Sequence, residues 1–435
     1  MASLINLFRR LPEFLSRETS GGRFIPQVDG LRFVAILAVF VYHVNGYLLA
    51  KAGDRLTPVL ARGTPPPLSP EIKNPFAPTL ATDVLSRIFA EGYFGVQLFF
   101  VISGFIIATQ ARKSGRSPLS GAFLKSYYWR RMLRIEPPYI LLLICTWLAL
   151  TATGYAPEGA NHFDAEPRSL NLSLLGSMAY LHGLIWGAYP RLFPPGWSLE
   201  VEVQFYILAP LLFWLWFRLK GAALRIFVAG ATLTAAAILS LEMGPKIGPV
   251  FVDKSILRFF AFFWLGLLLA DARPWLEAKA SSLPRGVATA IGWGGLLGYL
   301  AIPNAPDDLM LGLATRAAVY ATLVAMFFAA WAPQSGFSWF CTRPWISLIG
   351  GACYSIYLVH MQTTQIMSTI AAKLAPSMPL AAIFPFMILE YAAIVAAGLV
   401  FYVLVERTFM LPDWHIMAAR WARGRSEKPR PTPAE

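Results

Sequence analysis

The sequence predicts an all-α protein, a polytopic bundle of about ten transmembrane helices with interfacial helices beside them, on three observations. Only 14% of the 435 residues are charged and 56% are hydrophobic, whereas a soluble domain is usually about a quarter charged and under half apolar. The apolar residues gather into runs near the roughly 20 residues a helix needs to cross hydrocarbon. The formal net charge of +13 sits in short basic runs between those segments, as the positive-inside rule expects of cytoplasmic connections. Topology therefore accounts for the basic excess, and no nucleic-acid partner is expected.

The elements follow in chain order. Leu4, Leu7, Phe8, Leu11, Phe14 and Leu15 recur at helical spacing with Arg9, Arg10 and Arg17 among them, the pattern of a helix lying in the cytoplasmic interface. The first thirty residues lack the layout of a removable signal peptide, so the first span is expected to anchor itself. Apolar runs then appear near 31–50, 92–110, 137–153, 199–217, 224–241, 255–271, 286–302, 310–331, 345–370 and 380–405.

Ten spans place both termini on one side. Arg112, Lys113, Arg116, Lys125, Arg130, Arg131 and Arg134 make one connection strongly basic. Arg218, Lys220 and Arg225 do the same for another, as do Arg420, Arg423 and Arg425 for the tail. These belong in the cytoplasm, which puts a multi-pass chain in a plasma membrane, the inner one in a bacterium, with both termini cytoplasmic. Residues 51–90, rich in proline, read as an outer cap. Residues 170–187 are moderately apolar, but counting them as a span would put Arg218 to Arg225 outside, so a re-entrant outer helix fits the charge better. Cys145, Cys341 and Cys353 lie in or near apolar stretches without paired spacing and read as packing residues. No His, Cys or Asp cluster has metal spacing, so no metal is expected.

Ionisable groups inside apolar spans mark functional positions. Arg32 and His43 are eleven residues apart, close to three helical turns, so they share a face roughly 16 Å apart along the axis. A guanidinium near the cytoplasmic entrance suits phosphate, and a deep imidazole suits proton transfer. A donor with a phosphorylated head and a reactive group on a long arm satisfies both, and acyl-CoA has that shape. The alternative is a positive-inside anchor and a hydrogen-bonded packing histidine.

The Arg32-x10-His43 element is followed in order by Gly95-Val-Gln-Leu-Phe-Phe-Val-Ile-Ser103-Gly104-Phe105, by Arg131-Met-Leu-Arg134-Ile-Glu-Pro137-Pro-Tyr139 and by Trp197-Ser198-Leu199-Glu200-Val-Glu202-Val-Gln204-Phe205-Tyr206. Tyr354-Ser355-Ile-Tyr357-Leu358-Val-His360 and Glu406-Arg407 complete the series. Across nearly the whole chain this resembles the acyltransferase-3 family of membrane O-acyltransferases. The resemblance implies residues 1–30 as a cytoplasmic interfacial helix, 31–406 as the acyltransferase-3 transmembrane domain and 407–435 as a basic cytoplasmic tail. It implies acyl-CoA, or acetyl-CoA, as donor substrate rather than a resident cofactor, and a hydroxyl of a glycan or lipid-linked sugar as acceptor on the extracytoplasmic side.

The family's catalytic histidine maps onto His43. Its tryptophan motif commonly carries two adjacent acids, which this chain separates, and distance from Trp197 assigns the family glutamate to Glu202 rather than Glu200. Glu202 would orient His43 or hydrogen-bond the acceptor; a structural salt bridge is the other reading. Arg131 and Arg134, at i and i+3 on one face, would clamp the donor phosphates beside Arg32, or simply serve topology. Asp29, Ser103, Ser198, Tyr206 and His360 are the groups expected along the substrate path. Ser103 reads as a small packing residue or a nucleophile, Ser198 as a contact behind Glu202 or a helix cap, and His360 as a cavity wall or a core histidine. His162, His182 and His415 read as peripheral. Some members of the family carry an esterase-like outer domain; if the reaction needs one here, a separate extracytoplasmic relay protein has to supply it. A proton-coupled transporter is the rival reading, since buried Arg, His and Glu also mark such pathways.

Overall fold

The computed structural model describes residues 25–52, 94–154, 167–247, 254–302, 308–374 and 380–410, with positions 12 and 15. The interfacial helix expected at 4–15, the outer cap at 51–90 and the basic tail fall largely outside these residues, as do His162 and His415. Every regular element among the described residues is helical, and seven helices are long and apolar enough to cross a membrane. This is a multi-span membrane protein.

Helices α1 (Pro26–Ala52) and α2 (Phe94–Lys113) follow the expected first two spans. Helix α3 (Gly121–Thr153) is longer than the third. Its Ser120 cap accepts from the amide of Phe123, and the helix runs through Pro137 and Pro138 before Gly154 ends it with a positive φ of 62°. At 1.5 Å per residue it is about 50 Å long, against roughly 30 Å of hydrocarbon. The stretch from Lys125 to Arg130, expected in the basic connection, is therefore helix, continuous with the helix face expected for Arg131 and Arg134. It forms the extension that lies beyond the apolar layer.

Residues 170–187 form two short helices, α4 (Leu170–Met178) and α5 (His182–Trp186), and neither has the length to span. Leu172, Leu175, Leu184 and Ile185 stay exposed on them, which suits a hairpin dipping into lipid. The turn between them closes with the amide of Leu181 bonding Gly176 O at 2.9 Å and that of Tyr180 bonding Ser177 O at 3.1 Å. That pattern ends a helix on a left-handed residue, usually glycine. Here the residue is Tyr180, at φ 57°, a conformation that costs an L side chain roughly 1–2 kcal/mol. The turn accepts this strain and points an aromatic ring into the bundle.

A short 3₁₀ turn, Pro194–Gly196, leads into α6 (Trp197–Arg218). Then come α7 (Ala222–Ile247), α8 (Ile256–Ser281), α9 (Arg285–Ala301) and α10 (Leu309–Ala330). Helix α9 has 17 residues, and α8 carries Arg258, Asp271 and Arg273 along its apolar run; both are less simple spans than hydropathy alone suggests. The expected span at 345–370 is two helices. After α11 (Gly336–Cys341), helix α12 (Pro344–Gly351) lays Gly350 directly on the backbone carbonyl of Asp29, leaving no room for a side chain. The chain turns at Ala352 and α13 (Cys353–Leu374) starts. That break sets the face of α13 bearing Cys353, Tyr354 and Tyr357 towards the bundle interior. Helix α14 (Leu380–Phe401) passes through a π turn, Tyr402–Glu406, into α15 (Arg407–Met410).

The bundle is tightest where α2 meets α8. A Cβ on Gly104 would collide with the Phe263 carbonyl, and one on Gly266 with the Val101 carbonyl, so two glycines let the backbones touch, as small residues do between membrane helices. Phe263 then stacks on Phe205 of α6 at 4.1 Å and on Phe100 of α2 at 4.6 Å, tying three helices together. Gly266→Ala is expected to lower the thermal midpoint of the detergent-solubilised protein, since overpacking costs typically 1–3 kcal/mol; a midpoint unchanged within error would contradict this packing. At the basic end, Asp271 of α8 takes Arg112 of α2 at 2.9 Å and Arg225 of α7 at 3.0 Å.

Candidate functional site

Helical spacing builds the site. On α6, Ser198, Glu202 and Tyr206 stand at i, i+4 and i+8 and share one face, while Glu200 faces elsewhere. All three line a cavity of about 770 Å³, its open mouth included. Arg32, Arg131, Arg134, Ser103, Cys353, Tyr354 and Tyr357 line it too, with apolar walls from Phe99, Phe100, Ile106 and Leu199. The arginines gather at the end nearest the basic helix termini, and Ser198 and Tyr357 at the other.

Each polar group has a defined setting. Arg32 is nearly buried and ion-paired with Asp29 one turn before it. Arg131 donates to Gln110 Oε1 at 2.5 Å and lies over the Tyr206 ring at 5.5 Å. Arg134 is within electrostatic reach of Arg32, Arg131 and the buried Glu406, which accepts from the Ser355 hydroxyl at 2.6 Å. Three guanidiniums thus face two nearby carboxylates, leaving an excess positive charge at that end of the cavity.

Glu202 accepts from the Ser103 hydroxyl at 2.7 Å and from the Tyr206 hydroxyl at 2.5 Å. Ser103 is accordingly a donor to a carboxylate rather than a simple packing residue. Glu200 is fully buried and accepts from the amide of Gly183 at 2.8 Å, tethering α5 to α6. Ser198 donates to the Tyr357 hydroxyl at 2.8 Å, and Tyr357 donates onward to Pro195 O.

His43 lies where sequence could not place it, against His360 of α13, ring centroids 5.0 Å apart. His360 is fully buried. Its Nδ1 contacts Tyr357 O at 2.5 Å; a carbonyl only accepts, so Nδ1 carries the proton and, in the neutral ring, Nε2 is an acceptor. That Nε2 has no hydrogen-bond partner. Neither histidine is among the cavity's lining residues; the connection runs through Tyr357, whose ring sits 5.5 Å from that of His360.

Of the residues expected along the path, Arg32, Ser103, Arg131, Arg134, Ser198, Glu202 and Tyr206 line one cavity, Asp29 holds Arg32, and His43 and His360 pair just beyond Tyr357. Glu202 meets Ser103 and Tyr206, while the neighbour of His43 is His360. Two readings need correction. Cys353 packs but also forms cavity wall. His182 is fully buried, bonded to Ser173 Oγ at 3.1 Å and Ala188 O at 3.2 Å, because α5 folds back against α4. Tyr354 and Tyr357 went unselected although both stand in the quoted motif, three residues apart and a turn before His360. Tyr139 likewise ends a quoted motif, whereas Tyr180 carried no such signal. Among the described residues no cluster of His, Cys, Asp or Glu could hold a metal ion.

Comparison with known proteins matches residues 25–407 to the family described as "Acyltransferase domain". A curated relative named "O-acetyltransferase OatA", from Staphylococcus aureus strain NCTC 8325, is 24% identical over 370 residues, covering 81% of this chain and 52% of that protein. One named "Peptidoglycan O-acetyltransferase OatA", from Listeria monocytogenes serovar 1/2a, is 23% identical over 237 residues, covering 52% of this chain and 30% of its own length. The chain thus spans about half the length of the first of these relatives. No solved structure matches it.

Proposed function

The chain belongs to this acyltransferase family, and on that premise we propose that it is an integral membrane O-acyltransferase. It moves an acetyl or other short acyl group from cytoplasmic acyl-CoA to a hydroxyl of a glycan at the extracytoplasmic side. The observation that carries the reading is the cavity itself: cationic at one end, apolar along its walls, and polar at the end where Tyr357 leads to the two histidines.

In this reaction Arg131, Arg134 and Arg32 hold the donor phosphates through charge-assisted hydrogen bonds. The pantetheine arm lies along Phe99, Phe100, Ile106 and Leu199, with the thioester towards Tyr357. His43 takes the proton from the acceptor hydroxyl as its oxygen attacks the thioester carbonyl. The carbon–sulfur bond breaks, and the proton held by the imidazole passes to the departing thiolate, so the products are an ester and free CoA. The orphan Nε2 of His360 supplies an acceptor beside His43 for the imidazolium that forms. Attack by His43 itself, giving an acyl-imidazole resolved by the acceptor, uses the same groups. Glu202, kept in place by Ser103 and Tyr206, receives the acceptor hydroxyl's neighbour.

The name of the Listeria relative makes a peptidoglycan-type glycan the acceptor of choice, reached directly or through a separate extracytoplasmic relay protein. The test is release of free thiol from acetyl-CoA by purified protein in lipid nanodiscs, with and without chitotetraose as a neutral glycan strand. Thiol release that needs the glycan is expected. Solute flux across vesicles with no CoA consumed would identify a proton-coupled transporter instead.

A further inference from the structure

Three hydroxyls lie buried between the α4–α5 hairpin and the cavity with no part in the reaction described so far. Tyr139 of α3, Tyr180 in the hairpin turn and Ser177 are each almost wholly buried, and among the described residues none of their hydroxyls has a partner at good hydrogen-bond geometry. The Ser177 and Tyr139 hydroxyls lie close enough to pair with each other after a small movement. Buried polar groups in native proteins are normally paired, so three orphans in one place call for an occupant.

The surroundings say what kind. The rings of Tyr139 and Tyr180 stack at 5.3 Å and 27°. Tyr139 contacts Phe193, which in turn contacts His360, and its hydroxyl presses on Gly196, where a Cβ would lie 2.9 Å away. Tyr180 is within electrostatic reach of Glu136, Glu202 and Glu200. The pair therefore stands between the cavity carboxylate and the histidines, Tyr180 on the hairpin and Tyr139 on α3, five residues beyond Arg134. Tyr180 reaches this position through the left-handed turn that glycine would occupy more easily, and it is the one non-glycine residue with positive φ among the described residues.

We propose that Tyr139, Tyr180 and Ser177 form the acceptor subsite and that it selects a neutral polyol, entering as the α4–α5 hairpin lifts. The proposal rests on the acyl-transfer reading above. Phenol and serine hydroxyls both donate and accept, which matches sugar hydroxyls group for group, and the stacked rings present apolar faces to sugar carbons. The three glutamates make the field there negative. The nearby cations Lys254, bonded to the Tyr189 hydroxyl, and Arg191, bonded to the carbonyls of Pro167 and Arg168, keep their charge but are outnumbered by the three carboxylates. An anionic glycan is therefore repelled.

The experiment uses the full chain in nanodiscs with acetyl-CoA and compares Tyr139→Phe, Tyr180→Phe and the double variant with the parent protein. Each change removes one unpartnered hydroxyl and keeps the ring, so thermal midpoints should be unchanged or higher. The KM for chitotetraose should rise about tenfold in the double variant, with the KM for acetyl-CoA within twofold of the parent, and tetragalacturonate should be a poor acceptor for all four proteins. Unchanged acceptor KM and kcat in the double variant would overturn the subsite. Equal losses for donor and acceptor would do the same, and a preference for tetragalacturonate would overturn its charge selectivity. A parent protein that binds CoA yet releases no thiol with either glycan sinks the acyl-transfer reading itself, and the subsite with it.

Discussion

His43→Ala protein should lose about 10²- to 10⁴-fold of its glycan-dependent thiol release, the range in which a positioned acid–base group contributes, while its affinity for CoA stays within a factor of two. The separation follows from geometry. His43 contacts Tyr42 and His360 and is not among the lining residues of the cavity with the arginines, so its removal leaves the phosphate end intact. It is also half-buried, and truncation strands no buried charge. Turnover is measured with saturating acetyl-CoA and CoA binding by calorimetry on the same sample. Normal turnover in the variant would reject the central assignment, and a parallel loss of CoA affinity would move His43 from the chemistry to donor binding.

Arg131→Ala and Arg134→Ala should each raise the KM for acetyl-CoA by about 10- to 100-fold, since a hydrogen bond to a charged group is worth roughly 1.5–3 kcal/mol. The effect on kcat should be small. The pair tests the donor site better than Arg32 does. Arg32 is ion-paired with the buried Asp29, so its removal breaks a buried ion pair and destabilises the fold as well as the site. Arg131 bonds the uncharged Gln110 and lies over the Tyr127 and Tyr206 rings, with no ion pair among the described residues. Acetyl-pantetheine supplies the control: if phosphates are what the arginines hold, a donor lacking them should be insensitive to both substitutions. Equal sensitivity with acetyl-pantetheine would remove the arginines from phosphate binding.

Much of the architecture was legible because its determinants are local. Hydropathy over about 20 residues decides whether a segment enters lipid, and the ten apolar runs each correspond to helix. Errors arose where local rules met distant partners. The basic stretch up to Arg130 read as a connection, yet α3 extends through it to join the helix face of Arg131 and Arg134, since a helix can leave the apolar layer without ending. The run at 345–370 read as one span, yet it breaks at Ala352 where Gly350 is pressed against the backbone at Asp29.

The same division holds for the site. Sequence by itself determined the shared face of Arg32 and His43, the i and i+3 placement of Arg131 and Arg134, and the family, because each depends on helical period or on residues in order along the chain. Only the tertiary structure decided that His43 meets His360, that Glu202 is held by Ser103 and Tyr206, and that Tyr180 turns inward onto Tyr139. Period says which residues share a face; which helix that face meets is set by how closely backbones approach. In this bundle those approaches depend on glycines at Gly95, Gly104, Gly266 and Gly350 fitting against carbonyls far away in the chain.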